Sequence, residues 1–276
     1  MNLRKMILVM VRELREIHHN RWFFLLSFIF TLLILALSLM GMAGYGSLGV
    51  TGFGRTALSL LNLVLMMVPL MGLLLGAVSL SGEVEQGTME YLMSHPVSAF
   101  EVMSGKFAAL AIALSCTICF GFGLNALVIA FTAGSANWAH YLHLFLFTIL
   151  LVWVNLAIGL AISSFSRKSA ASIGVALFLW FILAFLGDLG LMRISLMLKL
   201  VPRDLLILVM VHPIEVAKLG VLLSIQGDLE VLGPVGRYIS NIFGGWFILI
   251  SVLILGIWIG VCFLISYVRF KKSWTS

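Results

Sequence analysis

Six long apolar runs, which share a single charged residue (Asp188), constrain this chain more than any other feature. They fall at roughly 22–42, 57–81, 107–132, 143–165, 170–191 and 246–267. About 20 residues at 1.5 Å rise cover the ~30 Å hydrocarbon layer of a bilayer, so each run is long enough to cross. Strand-like alternation is absent, and a backbone in lipid must satisfy its own hydrogen bonds, which predicts helices. With 62% hydrophobic and 10% charged residues, an ordinary soluble core is excluded. The expectation is an all-α integral membrane protein, one transmembrane domain over residues 1–276 with six transmembrane helices.

The first run is too long for the h-region of a cleavable signal and follows a charge-bearing stretch of about 21 residues, so it is expected to remain a span. Residues 1–21 mix Arg4, Lys5, Arg12, Arg15 and Arg21 with Leu3, Ile7, Leu8, Val11 and Leu14. That mixture predicts an amphipathic interfacial helix on the inner face; a disordered basic lead-in is the alternative. With the N-terminus inside, eleven Lys and Arg fall on inner segments and six on outer ones. This bias predicts that both the N- and the C-terminus lie on the cytoplasmic side. The net charge of +6 suits anionic membrane lipids and requires no nucleic acid.

Between spans five and six, residues 192–245 are apolar yet broken by Pro202, Pro213 and Pro234. The runs 204–211 and 214–225 are too short to cross, which predicts short interfacial or re-entrant helices at the outer surface. Pro69 interrupts the second span. The pairs Gly72/Gly76 and Gly256/Gly260 have the small-xxx-small spacing that lets helices approach, within one chain or between two. Asn62, Asn125 and Asn155 are read as amides that bond between helices.

Catalytic chemistry finds little support. The six histidines lie outside the apolar runs or at an edge, and His140 with His143 supplies only two metal ligands, so no metal site is expected. Gly105-Lys106 lacks the preceding glycine and following hydroxyl of a phosphate loop, so no ATP is expected to bind there. No catalytic residues are assigned and no cofactor is expected in this chain. Cys116 and Cys119 form a C-x-x-C inside the third span, as packing residues or as a thiol or soft-metal contact on a cargo path. Asp188 is either a cargo-path acid or an outer-rim residue paired with Arg193 five positions on.

Residues 82–106, GEVEQGTMEYLMSHPVSAFEVMSGK, are a polar interruption that holds Glu83, Glu85, Glu90 and Glu101. Acids, glycines and a proline at set spacings suggest a surface that another protein grips. The pattern formed by Glu83, Glu85, Gly87, Thr88, Leu92, Pro96, Glu101, Gly105 and Lys106 resembles the loop after the second span of type-2 ABC transporter permeases. The resemblance covers essentially the whole chain. It implies that 82–106 is a cytoplasmic coupling segment docking on a separate ABC ATPase, which carries the ATP and Mg. The coupling residues would be Glu83, Glu85, Gly87, Thr88, Pro96 and Glu101, with the acids meeting basic residues of the ATPase. Val84 and Ala99 depart from the pattern, where relatives often carry an acid and a base.

Within that family, Pro69-Leu70 leading into Gly82-Glu83, Trp180-Phe181 leading to Asp188-Leu189, and His212-Pro213-x-Glu215 are most similar to permeases of nitrous-oxide reductase maturation systems. That likeness implies a second copy of the chain and a periplasmic assembly protein on the outer helices. It also implies copper-site assembly, by moving a sulfur or copper species or by transmitting force. A generic type-2 exporter of a drug, peptide or lipid, and a non-transporting membrane scaffold, remain the alternatives.

Overall fold

The computed structural model describes residues 3–43, 52–132, 138–186, 202–226 and 246–275, and among them regular structure is helical throughout. The helices are α1 (Leu3–His19), α2 (Arg21–Ala43), α3 (Gly52–Glu85), α4 (Thr88–Met93), α5 (Ala99–Thr132), α6 (Trp138–Phe165) and α7 (Ser169–Phe181). A π turn, Ile182–Leu186, extends α7; then come α8 (Pro202–Val211), α9 (Pro213–Gln226) and α10 (Trp246–Thr275). Among the described residues, five helices are long and apolar enough to cross a membrane: α2, α3, α5, α6 and α10. The run expected as span five is described only as far as 186, where α7 and its π turn form a shorter apolar helix. Asp188 and Arg193 lie outside the described residues.

α3 and α5 have 34 residues each. At 1.5 Å per residue each measures about 51 Å, some 20 Å more than the hydrocarbon layer requires. The surplus includes the polar ends 82–85 and 99–106, so the interruption in the sequence is largely helix.

α3 packs on α6 through a glycine notch. A Cβ on Gly76 would stand 2.6 Å from Leu156 O, and one on Gly159 only 2.5 Å from Leu73 O. The Gly72/Gly76 pair therefore joins helices within one chain. A Cβ on Gly256 or Gly260 meets nothing within 4 Å among the described residues, so that pair faces outward from α10. Pro69 is accommodated inside α3, and one turn before it Met66 O accepts a hydrogen bond from Trp180 Nε1 of α7 at 2.9 Å. A neighbouring helix thus satisfies a carbonyl in the turn that proline loosens.

Of the three amides, Asn125 bonds across helices to Tyr141 Oη of α6 at 3.2 Å, as read from sequence. Asn155 instead donates within α6 to Leu151 O, with its Cβ lying against Gly72, and Asn62 is exposed. α9 is sunk into the bundle against α6 and α10, with Ile214, Val216, Ala217, Val221 and Leu222 buried. A Cβ on Gly220 would meet the Phe147 ring at 2.5 Å, so a larger residue there would require that ring to move. Of the two alternatives, embedded helix describes α9 better than surface helix.

Opposite α9 lies the other end of the bundle, where α1, α4, the α6–α7 turn and the end of α10 meet. Phe100 at the start of α5 packs edge-on against Phe263 and Tyr267 of α10, and Arg269 stands 5.2 Å from the Phe165 ring centroid.

Candidate functional site

α1 is the amphipathic helix the sequence predicts. Val9, Glu13 and Ile17, at intervals of four, form its buried stripe, while Leu3, Ile7, Leu8 and Val11 remain exposed. The stripe lies on α5, where Gly105 allows close approach: a Cβ there would stand 2.9 Å from Val9 Cγ1.

Glu13 lies within this stripe, and an acid on an apolar face needs a cation. Lys106 of α5 supplies it, with Nζ 2.6 Å from Glu13 Oε2 and 3.0 Å from Glu83 Oε1 of α3. The Lys106 side chain is only 1% exposed. Ser79 adds to the network, its hydroxyl donating to Glu13 Oε1 and its carbonyl accepting from Lys106, both at 3.4 Å. Arg12 completes it, 3.3 Å from Glu83 Oε1 and 2.8 Å from Glu16 Oε1. Three helices are therefore joined by one ion network.

Glu13, Glu16 and Glu83 offer oxygens within 4.8 Å of one another, a spacing that could hold a metal ion. Here those charges are already engaged by Lys106 and Arg12. Three acids face two bases, and Glu83 Oε2 is buried with no hydrogen-bond partner. Burial therefore lifts the Glu13 carboxyl above its ordinary value, Lys106 opposing the rise while Glu83 and Glu16 add to it.

Beyond Glu83, α3 continues to Glu85 and stops. Gln86 and Gly87 turn the chain, Gly87 at φ +72°, a conformation that costs an L-residue about 1–2 kcal/mol. Thr88 Oγ1 donates to Glu83 O at 3.2 Å and fastens the start of α4 to α3. With six residues α4 cannot hold itself as a helix; buried Met89 and Leu92 anchor it. Its outer face presents Glu90 and Tyr91, and exposed Ser94, His95 and Pro96 follow it. Lys5 Nζ donates to Pro96 O, so α1 also holds the segment after α4. A cleft of about 620 Å³ between the two is lined by Leu8, Arg12, Gly87, Tyr91 and His95 among others.

Ser98 and Glu101 form a capping box for α5. Ser98 Oγ accepts from Glu101 N at 3.2 Å, and Glu101 Oε2 accepts from Ser98 N at 3.0 Å. Glu101 is buried.

Glu85 turns away from the ion network. Two residues along a helix is about 200° of rotation, so Glu83 and Glu85 face opposite sides of α3. Glu85 Oε2 accepts from Ser169 N at 2.8 Å and Ser169 Oγ at 2.5 Å, at the first turn of α7. Lys168, in the N-cap position of α7, makes no side-chain cap bond, so the carboxylate of another helix takes that role.

All six residues expected at the coupling segment thus lie at one end of the bundle, but they do different things. Gly87 and Thr88 shape the turn. Glu83 and Glu101 are buried and bonded within the chain, and Pro96 is exposed. The reading from sequence missed Arg12, Glu13 and Ser169 and treated Lys106 only as part of a pattern. The signal for Glu13 was its place in the i, i+4, i+8 stripe between Val9 and Ile17. Cys116 and Cys119 do not converge. Cys116 lines the groove between α2 and α5, and Cys119 a separate hollow beside Trp138 and Tyr141.

Comparison with known proteins agrees with this architecture. A profile of the ABC-2 family transporter protein matches residues 7–273. The chain is 29% identical to the "Probable ABC transporter permease protein NosY" of Stutzerimonas stutzeri over 279 aligned positions, covering 96% of this chain and 97% of that protein. It is 31% identical to the protein of the same description from Pseudomonas aeruginosa over 237 positions, covering 80% of this chain and 86% of the relative. With the family profile spanning nearly the whole chain, this protein belongs to the ABC-2 transporter family, as a membrane permease subunit similar to NosY.

Proposed function

We propose that this chain converts ATP hydrolysis by a separate cytoplasmic ATPase into work across a bacterial inner membrane, as one of two copies. The observation that carries this is the braced hairpin. α3 and α5 extend past their apolar runs, and their shared end presents α4 on a footing locked by buried Lys106. A short helix on a stiff base can pass a push from a soluble motor into the long helices it joins. The outer face of α4 and the α1–α4 cleft are its seat for the ATPase. Glu83 and Glu101 brace this seat from within, because both carboxylates are turned inward.

The resemblance to nitrous-oxide reductase maturation permeases supports a role in copper-site assembly, through a sulfur or copper species or through force on a periplasmic partner. In this reading α8 and α9 mark the periplasmic side, where that partner would sit. Membrane lipids surround α2 and α10, whose exposed faces are strongly apolar.

A photo-crosslinking residue at Tyr91, which is 71% exposed, tests the docking face in native membranes. An adduct with an ABC ATPase is expected. Failure to recover any ATPase, either as an adduct or on gentle affinity purification, would refute the proposal. Replacing both Glu83 and Glu85 by Ala should lower substrate-linked ATPase activity. That result alone is less decisive, since loss of Glu83 also strips Lys106 of one carboxylate.

A further inference from the structure

We infer that Glu85 is a positioning residue, a tie that carries movement of the α4 hairpin into α7. This rests on α4 being the ATPase seat. Glu83 and Glu85 hold α3 on opposite sides, and their settings differ. Glu83 is buried among two cations, a fixed anchor. Glu85 is exposed, and a single oxygen accepts both bonds from Ser169.

α7 depends on that oxygen. Its own N-cap residue, Lys168, has no acceptor to offer, and Ser172 Oγ one turn on is buried without a partner. The first turn of α7 is therefore organised from α3. The preceding helix is gripped as well: Ser163 Oγ of α6 accepts from Leu80 N at 3.0 Å and Ser81 N at 2.8 Å. The end of α3 thus holds the α6–α7 turn on both flanks. α6 is already locked to α3 by the glycine notch, so the Glu85 bonds are the adjustable member of the pair. When the end of α3 shifts with α4, the start of α7 must follow or lose its cap.

The test is hydrogen–deuterium exchange on the permease co-purified with its ATPase, with and without ATP plus vanadate. In the parent complex, nucleotide should alter exchange over residues 173–186. Glu85→Ala should keep the ATPase bound, speed exchange in the first turn of α7 about fivefold, and abolish the nucleotide response at 173–186. Glu85→Gln, which keeps an acceptor oxygen, should restore the response; Ser169→Ala, which loses only the hydroxyl bond, should fall between. A role confined to stability would not separate these variants by their nucleotide response. Three results overturn the tie: a parent complex with no nucleotide response at 173–186, a Glu85→Ala complex that responds fully, or a Glu85→Ala chain that sheds the ATPase, which would make Glu85 a docking residue. If the parent permease retains no ATPase at all, the α4 seat fails, and the tie with it.

Discussion

Lys106→Met is the most informative single substitution. Methionine keeps most of the lysine stem and its burial but removes the charge. Three side chains then decide the outcome: Lys106 at 1% exposure, Glu13 at 9% and Glu83 at 10%. At such burial, solvent screening is slight, and removing one partner of a buried pair costs about 3–5 kcal/mol because the other charge is stranded. Glu13 can escape by taking up a proton. Its carboxyl is already raised above 4.5 by burial. A raised acid contributes stability that is full below its unfolded value and lost as pH climbs through the folded one. Without Lys106 the folded value rises further, so the deficit should be widest near pH 7. Lowering the pH by two units should recover up to about 2.7 kcal/mol, at ~1.36 kcal/mol per unit for one proton. Unfolding in detergent micelles titrated with dodecyl sulfate, followed by tryptophan fluorescence, measures both numbers. The variant Lys106→Met/Glu13→Met/Glu83→Met should regain most of the loss, since exchanging a whole buried ion network for apolar side chains of similar volume is often neutral. A Lys106→Met chain within about 1 kcal/mol of the parent at pH 7, or a deficit indifferent to pH, would refute the reasoning.

Three further outcomes follow from the geometry. Gly76→Val should prevent α3 from seating on α6 and sharply reduce the yield of folded protein in size-exclusion chromatography, because even a Cβ would lie 2.6 Å from a backbone oxygen. Gly256→Ala, with open space around it, should elute and unfold like the parent. Ser98→Ala breaks the capping box and should cost about 0.5–2 kcal/mol in the same detergent unfolding assay, with Ser98→Thr restoring most of it. Equal stability for the alanine and threonine variants would show that the box contributes nothing.

Residues 82–106 show how far a pattern of residue types can be read. Acids at 83, 85 and 101 look alike along the chain, and their count suggests an acidic surface. The fold gives each a different partner. Glu83 meets Lys106 and Arg12, Glu85 caps α7, and Glu101 caps α5. The Glu101 box was legible in principle, since Ser98-x-x-Glu101 ahead of an apolar run is its signature. The Glu83–Glu85 division was not, because it depends on α3 running unbroken to residue 85. Partners 71 to 93 residues away, such as Arg12 for Glu83 and Glu13 for Lys106, are set only by how the helices pack.

Run length and hydropathy alone determined that this chain is a membrane helical protein, because transfer of apolar surface and closure of backbone hydrogen bonds depend on local composition and segment length. The turn at Gly87 and the amphipathic α1 were equally local. The choice of Gly72/Gly76 over Gly256/Gly260 as an in-chain notch, the sinking of α9 beneath Phe147, and the neutralisation of a buried lysine belonged to the tertiary structure. Those outcomes depend on which surfaces meet, and a close approach or a buried charge is offset only by the specific groups on the facing helix.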